Sequence, residues 1–171
     1  MLDLNKTLMD GGILTAAFLT LVLIIAYFKP RLFVNKEDLP ADILAAVPPK
    51  TEAEKRQAKL LQFPIFLILI GGMLVSTYSF YTQSGAGFFP LFTHALAIIL
   101  IISVSDLVLV DWLLLNTITP KWVVFPGTEG FAGYKDYGFH LRAHLRVLPA
   151  QVLGAALTAG LVLLAAWVMG G

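Results

Sequence analysis

There is no cysteine in the chain. That excludes disulfides, thiolate metal sites and cysteine nucleophiles, and it leaves the compartment open. Charge is scarce as well: only 13% of residues are Asp, Glu, Lys or Arg, against about 25% in an ordinary soluble domain. That is too little to cover a water-exposed surface. The formal net charge is +1, which speaks against a nucleic-acid partner. Gly-x-Ser-x-Gly, P-loop and dinucleotide fingerprints are all missing, and Gly127-Thr128-Glu129-Gly130 is too short to stand for one. No internal repeat of the secondary-transporter kind is visible, and no cofactor is expected.

What is present is apolar sequence. Of 171 residues, 58% are hydrophobic, and they gather in four blocks, Gly12–Phe28, Pro64–Tyr81, Leu91–Val110 and Leu148–Met169, none of which contains Lys or Arg. A run of about 20 apolar residues crosses a hydrocarbon core of about 30 Å at 1.5 Å per residue. The expected fold is therefore all-α, an integral membrane four-helix bundle with short amphipathic cytoplasmic helices. It forms one transmembrane domain over 1–171, with spans at about 12–28, 64–82, 91–115 and 148–169 and long loops at about 29–63 and 116–147. The first block is expected to be a retained span. Asp3, Lys6 and Asp10 precede it, and it ends in Tyr27-Phe28-Lys29-Pro30, not in the small residues of a signal-peptide cleavage site.

The cations set the orientation. Lys29, Arg31, Lys36, Lys50, Lys55, Arg56 and Lys59 fall in the first connection, and Lys121, Lys135, Arg142 and Arg146 in the third. The second connection, Thr82–Pro90, has none, and Lys6 is the remaining one of the twelve. Positive loops stay cytoplasmic. Both termini are then expected outside, with both long loops inside and almost no protein on the external face. Within the first loop, Asp38-Leu39-Pro40-Ala41-Asp42 starts a short helix that Pro48-Pro49 ends, and Thr51 with Glu54 forms a capping box. The helix that follows carries Lys55, Arg56 and Lys59 beside Ala58, Leu60 and Leu61. It suits anionic lipid, with a partner or ligand as the alternative.

Span three carries three ionisable residues, His94, Asp106 and Asp111. Such groups are costly in hydrocarbon and so are functional candidates by default. Asp111, beside Trp112, sits at the boundary, and Asp106 lies roughly 7 Å further in. On an α-helix the two carboxylates are about 140° apart, which predicts that they do not act as a pair. Gln151 on span four and Tyr27 on span one are the expected hydrogen-bond partners of Asp106, or else Arg142 or Arg146 reaches inward to it. Asp106 is read either as an interhelical hydrogen bond that fixes packing or as a proton, ion or substrate site. His94, roughly 18 Å along the same helix, matches the depth of Ser76, Thr77, Tyr78 and Ser79. It is expected to be a packed, hydrogen-bonded group rather than a lone haem or metal ligand. Ala150, Gly154 and Thr158, with Ala156 and Gly160, and Gly71-Gly72 on span two are expected to permit close helix contact or a homodimer seam.

The second long loop holds the densest polar cluster, with Glu129, Lys135, Asp136, His140, Arg142, His144 and Arg146 as headgroup- or ligand-binding candidates. Pro120 stops a helix at its start. Pro149 is expected to begin span four, where its missing N–H costs little. His140 and His144, spaced i, i+4, share a helical face and are weak metal candidates with Glu129 or Asp136 as a third ligand. The competing readings are a phosphate or lipid-headgroup site with Arg142 and Arg146, and a plain amphipathic helix at the lipid surface.

The runs Asp111-Trp112, Thr117-Ile118-Thr119-Pro120-Lys121, Phe125-Pro126-Gly127-Thr128-Glu129-Gly130, Gly133-Tyr134-Lys135-Asp136-Tyr137 and Phe139-His140, together with Val47-Pro48-Pro49-Lys50-Thr51 and Glu54-Lys55-Arg56, resemble a pattern in small uncharacterised bacterial four-span membrane proteins. The resemblance covers both long loops and span three. It implies an inner-membrane location and a four-span layout, and no catalytic role. Three functions remain open. The first is a small oligomeric binding or transport-type protein with its polar site on the cytoplasmic half. The second is an accessory or assembly subunit of a larger membrane complex. The third is a lipid-active enzyme of the cytoplasmic face. A water-accessible cavity at Asp106 would favour the first, sealed helices with a flat apolar outer face the second, and a cleft holding His140, His144 and an acid within about 4 Å the third.

Overall fold

The structure, a computed structural model, describes residues 2–35 and 38–170. Lys36, counted above among the first-loop cations, its neighbour Glu37, and the terminal Met1 and Gly171 lie outside the described residues. Among the described residues every regular element is helical: α1 Leu4–Phe28, α2 Pro30–Phe33, α3 Ala41–Ala46, α4 Glu52–Ser84, α5 Phe88–Ile118 and α6 Tyr137–Val168. Four of them, α1, α4, α5 and α6, are long and apolar enough to cross a bilayer. The chain is an all-α multi-pass membrane protein of the four-helix-bundle class. Between 17 and 28% of each helix's most apolar window is buried. Exposed side chains such as Ile13, Val75, Phe89, Leu157 and Trp167 give the helices apolar outer faces, which suit lipid and not water.

The helices overrun the apolar blocks. α1 begins at Leu4, α4 at Glu52 and α6 at Tyr137, because backbone hydrogen bonding continues a helix past the hydrocarbon while hydropathy reports only the part that needs lipid. Pro149 consequently lies inside α6 and not at its start, where its ring forfeits one hydrogen bond of the helical ladder. α4 likewise contains Pro64, and three residues later its ladder widens to a π-helical stretch, Leu67–Gly71. The far half of α5 is π-helical throughout, over Asp106–Ile118.

The chain divides into two compact units, each drawing a segment from all four long helices. The first comprises Met1–Phe18, Phe66–Val104 and Val147–Gly171. Its core joins Phe80, Leu91, Ala159 and Val162. The buried stripe of α6 runs through Ala155, Thr158, Ala159, Val162 and Ala166. Of the small residues expected at the seam, Thr158 is buried, Gly154 and Ala156 are half-buried, and Ala150 and Gly160 are exposed. Gly72 makes a close approach, to the side chain of Leu14, and its neighbour Gly71 faces open space. Gly11 packs under Ile101 so closely that a Cβ would lie 2.8 Å from its Cδ1.

The second unit comprises Leu19–Ile65 and Ser105–Arg146, and it contains both long loops. The expected short helix is α3, with Ile43 buried. The capping box forms: Thr51 N–H donates to Glu54 Oε2 at 2.8 Å and Glu54 N–H to Thr51 Oγ1 at 3.2 Å. Arg31 grips the same carboxylate, Nε to Oε1 at 2.7 Å and Nη2 to Oε2 at 3.3 Å. This hydrogen bonding raises the guanidinium's pKa above its ordinary value. The two loops are clasped where Gly133 N–H donates to Asp42 Oδ2 at 2.9 Å. A Cβ on Gly133 would collide with that carboxylate and lie 2.7 Å from Pro40 Cβ. Gly133→Ala is expected to open the clasp at a cost of about 1–3 kcal/mol. Limited trypsinolysis in detergent checks this: cleavage at Lys121 and Lys135 should accelerate, and unchanged cleavage would show that the clasp does not hold the loops.

Candidate functional site

The polar cluster of the second unit is built on two helices. In the π-helical part of α5 each turn closes through an i→i+5 bond. The register is visible in Thr119 N–H donating to Leu114 O at 2.9 Å and Thr117 Oγ1 to Trp112 O at 2.7 Å. That wider winding returns roughly to the same face after five residues. Asp106 and Asp111 therefore share a face, and the 140° separation expected of an α-helix does not apply.

On α6, His140 and His144 share a face as their spacing predicts, and both point at Asp111. His144 Nε2 is 3.0 Å from Asp111 Oδ2 and 3.9 Å from Asp106 Oδ2. His140 Nδ1 is 3.3 Å from Asp111 Oδ1. One ligand atom from each of Asp106, Asp111 and His144 lies within 4.8 Å of the others. The four side chains retain between 10 and 26% exposure, so the cluster is neither sealed nor solvated. Chemically it offers two carboxyl groups and two imidazoles to one small volume. Such a set can hold a cation, share a proton, or orient a carboxylate.

The second loop fixes this arrangement from below. Lys135 Nζ donates to Asn116 O at 2.7 Å, Thr117 O at 3.2 Å and Thr119 Oγ1 at 2.7 Å, so it caps the terminal carbonyls of the π-helix. Asn116 Nδ2 donates to Tyr134 O at 2.9 Å, and Trp112 Nε1 to Tyr137 O at 3.1 Å. Asp136 is the N-cap of α6, accepting from Phe139 N–H at 2.8 Å, and it also pairs with Arg142 at 3.3 Å. Lys135 and Asp136 thus have structural partners, and the acid beside the histidines is Asp111 where Glu129 or Asp136 was expected. Glu129 and Arg146 are exposed. The expected partners of Asp106 bind elsewhere: Gln151 Nε2 donates to Ser103 Oγ at 3.1 Å, and Tyr27 packs edge-on against Phe28 and Trp122. The residue that approaches Asp106 is His144, which the sequence places one long loop away.

No protein-family model matches the chain, and no curated protein or solved structure is similar to it.

A second polar network occupies the first unit. His94 is fully buried and stacks on Phe80 with ring centroids 4.8 Å apart. Its Nδ1 lies 2.8 Å from Thr7 Oγ1 and its Nε2 3.0 Å from Ser76 Oγ. Ser76 Oγ donates to Asp10 Oδ2 at 2.5 Å, and Lys6 pairs with that carboxylate at 2.9 Å. Ser76 is the one residue of the expected hydroxyl layer that meets His94. Thr77, equally buried, has no hydrogen-bond partner for its hydroxyl. The Thr7, Lys6 and Asp10 contributions come from α1 and had no sequence signal beyond their polarity. Lys50 and the basic start of α4, with Lys55, Arg56 and Lys59, line a cleft of about 470 Å³.

Proposed function

We propose that this chain is a small binding or transport-type protein of a bacterial inner membrane, working as a homo-oligomer or within a larger membrane complex. Its polar site is the Asp106–Asp111–His140–His144 cluster on the cytoplasmic half. The observation that carries this is the convergence of four titratable side chains from two membrane-spanning helices, among them Asp106 inside its span, where an ionisable group is costly. The orientation, termini outside and long loops inside, rests on the cation distribution in the sequence, and the basic start of α4 would lie on anionic lipid.

A second reading, a lipid-active enzyme of the cytoplasmic face, is favoured by the same contacts, since His140 and His144 each lie within 3.3 Å of an acid.

Two experiments test the proposal. The cysteine-free chain accepts single labels: Gln83→Cys should react with an impermeant maleimide in intact cells, and Lys121→Cys only after permeabilisation. The opposite pattern would overturn the orientation. In a strain lacking the chromosomal copy, His140→Ala and His144→Ala should fail to restore the wild-type phenotype at normal membrane abundance, and Lys121→Gln should restore it. Full restoration by both histidine variants would remove the cluster as the functional site. Turnover of labelled phospholipid by purified protein, lost in the same variants, would select the enzyme reading.

A further inference from the structure

We propose that Asp106, Asp111 and His144 ligate a single first-row divalent metal ion of the Mn²⁺-to-Zn²⁺ class, with His140 positioning the Asp111 carboxylate. This rests on reading the cluster as the functional site, and it names what the site takes.

The geometry comes first. A metal ion about 2 Å from each of three tetrahedral ligands holds them about 3.3 Å apart. Here the three atoms already lie within 4.8 Å of one another, with His144 Nε2 at 3.0 Å from Asp111 and 3.9 Å from Asp106. Rotamer adjustments of about an ångström close the set. The π-helical register is what makes it available, because it turns the second carboxylate toward the first.

Two carboxylates and a neutral imidazole carry a formal charge of −2, and a divalent ion brings the site to zero. Neutrality matters at a position with little water, where uncompensated charge is expensive. A plain packing contact accounts for less. Asp111 is well served by two imidazoles, but Asp106 is 3.9 Å from His144, too far for a hydrogen bond. An ion between them would engage both acids.

The donor set selects the ion class. Ca²⁺ and Mg²⁺ prefer oxygen ligands throughout, so an imidazole argues against them. With no cysteine in the chain, the soft thiolate sites that favour Cu(I) and iron–sulfur clusters are excluded. One nitrogen and two carboxylate oxygens suit Mn²⁺, Fe²⁺, Co²⁺ or Zn²⁺. His140 Nδ1, on Asp111 Oδ1 at 3.3 Å, holds the carboxylate so that Oδ2 faces His144. Such outer partners are commonly worth 10- to 100-fold in metal affinity. Three protein ligands leave one position open to water or an exchanging ligand, as a binding or transport site requires.

The test uses the full chain, purified in detergent with a non-histidine affinity tag and dialysed against Zn²⁺ or Mn²⁺ in excess Mg²⁺. Elemental analysis should find one Zn²⁺ or Mn²⁺ per chain. Asp106→Asn and His144→Ala should each weaken binding at least tenfold, and Lys121→Gln should not. Co²⁺ loading should give visible d–d absorption that the same two variants lose, while their circular dichroism and gel-filtration profiles match the wild type. Absence of stoichiometric metal from the wild type, or retention of wild-type affinity by both variants, overturns the inference. The two proposals fail separately. A metal-free wild type whose His144→Ala variant still fails to complement leaves the site standing without its metal. Stoichiometric metal with full complementation removes the functional role and leaves the metal site.

Discussion

Asp111→Ala is expected to be the most damaging single substitution in the second unit, abolishing complementation and lowering stability by about 1–3 kcal/mol. Asp111 is the shared acceptor of the cluster: Oδ1 faces His140 and Oδ2 faces His144. Truncation strips a partner from both imidazoles at once, His140 being buried and His144 half-buried. Either histidine substitution, by contrast, leaves Asp111 with one partner. The three residues should behave as a unit, so that Asp111→Ala combined with His144→Ala costs less than the sum of the two. Groups in direct contact typically show coupling of about 0.5–3 kcal/mol. Thermal unfolding in detergent reads the stability change, and additive costs would show that the contacts carry no energy. Asp111→Asn should separate charge from shape: it keeps an acceptor for one imidazole and recovers part of the stability, yet it stays inactive if the site needs the anion.

His94→Ala is expected to be the most destabilising substitution in the first unit, by about 2–4 kcal/mol. Two effects add. The ring is fully buried against Phe80, so truncation opens a cavity. It also removes the contacts by which α5 meets Thr7 on α1 and Ser76 on α4. The hydroxyl of Ser76 has one proton, and that proton goes to Asp10. Thr7 Oγ1 likewise gives its proton to Asp3 O, so the imidazole is the donor to at least one of the two hydroxyls. Loss of the ring leaves Ser76 and Thr7 each short of a partner. Intramembrane hydrogen bonds are individually worth only about 0.6 kcal/mol, so the cavity is the larger part, and His94→Phe should recover much of it. Complementation should survive in any His94 variant that still folds, since the network belongs to the other unit. A stable His94→Ala protein that is inactive would point instead to a proton-handling role.

Much of the architecture is written in local sequence. The four apolar blocks, the capping box at Thr51 and Glu54, the helix stop before Pro120 and the short helix after Pro40 each depend on residues within a few positions of one another. Each is found as expected. The face shared by His140 and His144 is equally local, because α6 is regular there. The helices extend beyond the apolar blocks because hydropathy measures the need for lipid, and helical hydrogen bonding does not stop where that need stops. Pro149 opens the apolar run yet lies within the helix for the same reason.

The segment Asp106 to Arg146 could be picked out from its composition alone, and the cluster falls inside it. Its membership could not. Whether Asp106 and Asp111 meet depends on whether five residues make one turn or nearly one and a half, and an ordinary α-helical reading puts them apart. The wider register is held by Lys135 and Asn116 across the second loop. Likewise the grip of Asp42 on Gly133, the choice of His144 over Gln151 beside Asp106, and the meeting of His94 with Thr7 join residues far apart in the chain. Short-range periodicity and charge placement are enough to say that the chain crosses a membrane, where it does so, and which stretch carries unusual polarity. Which polar groups face one another is decided by helix register and packing between distant segments, because a rotation of one helix by a fraction of a turn exchanges every partner on its face.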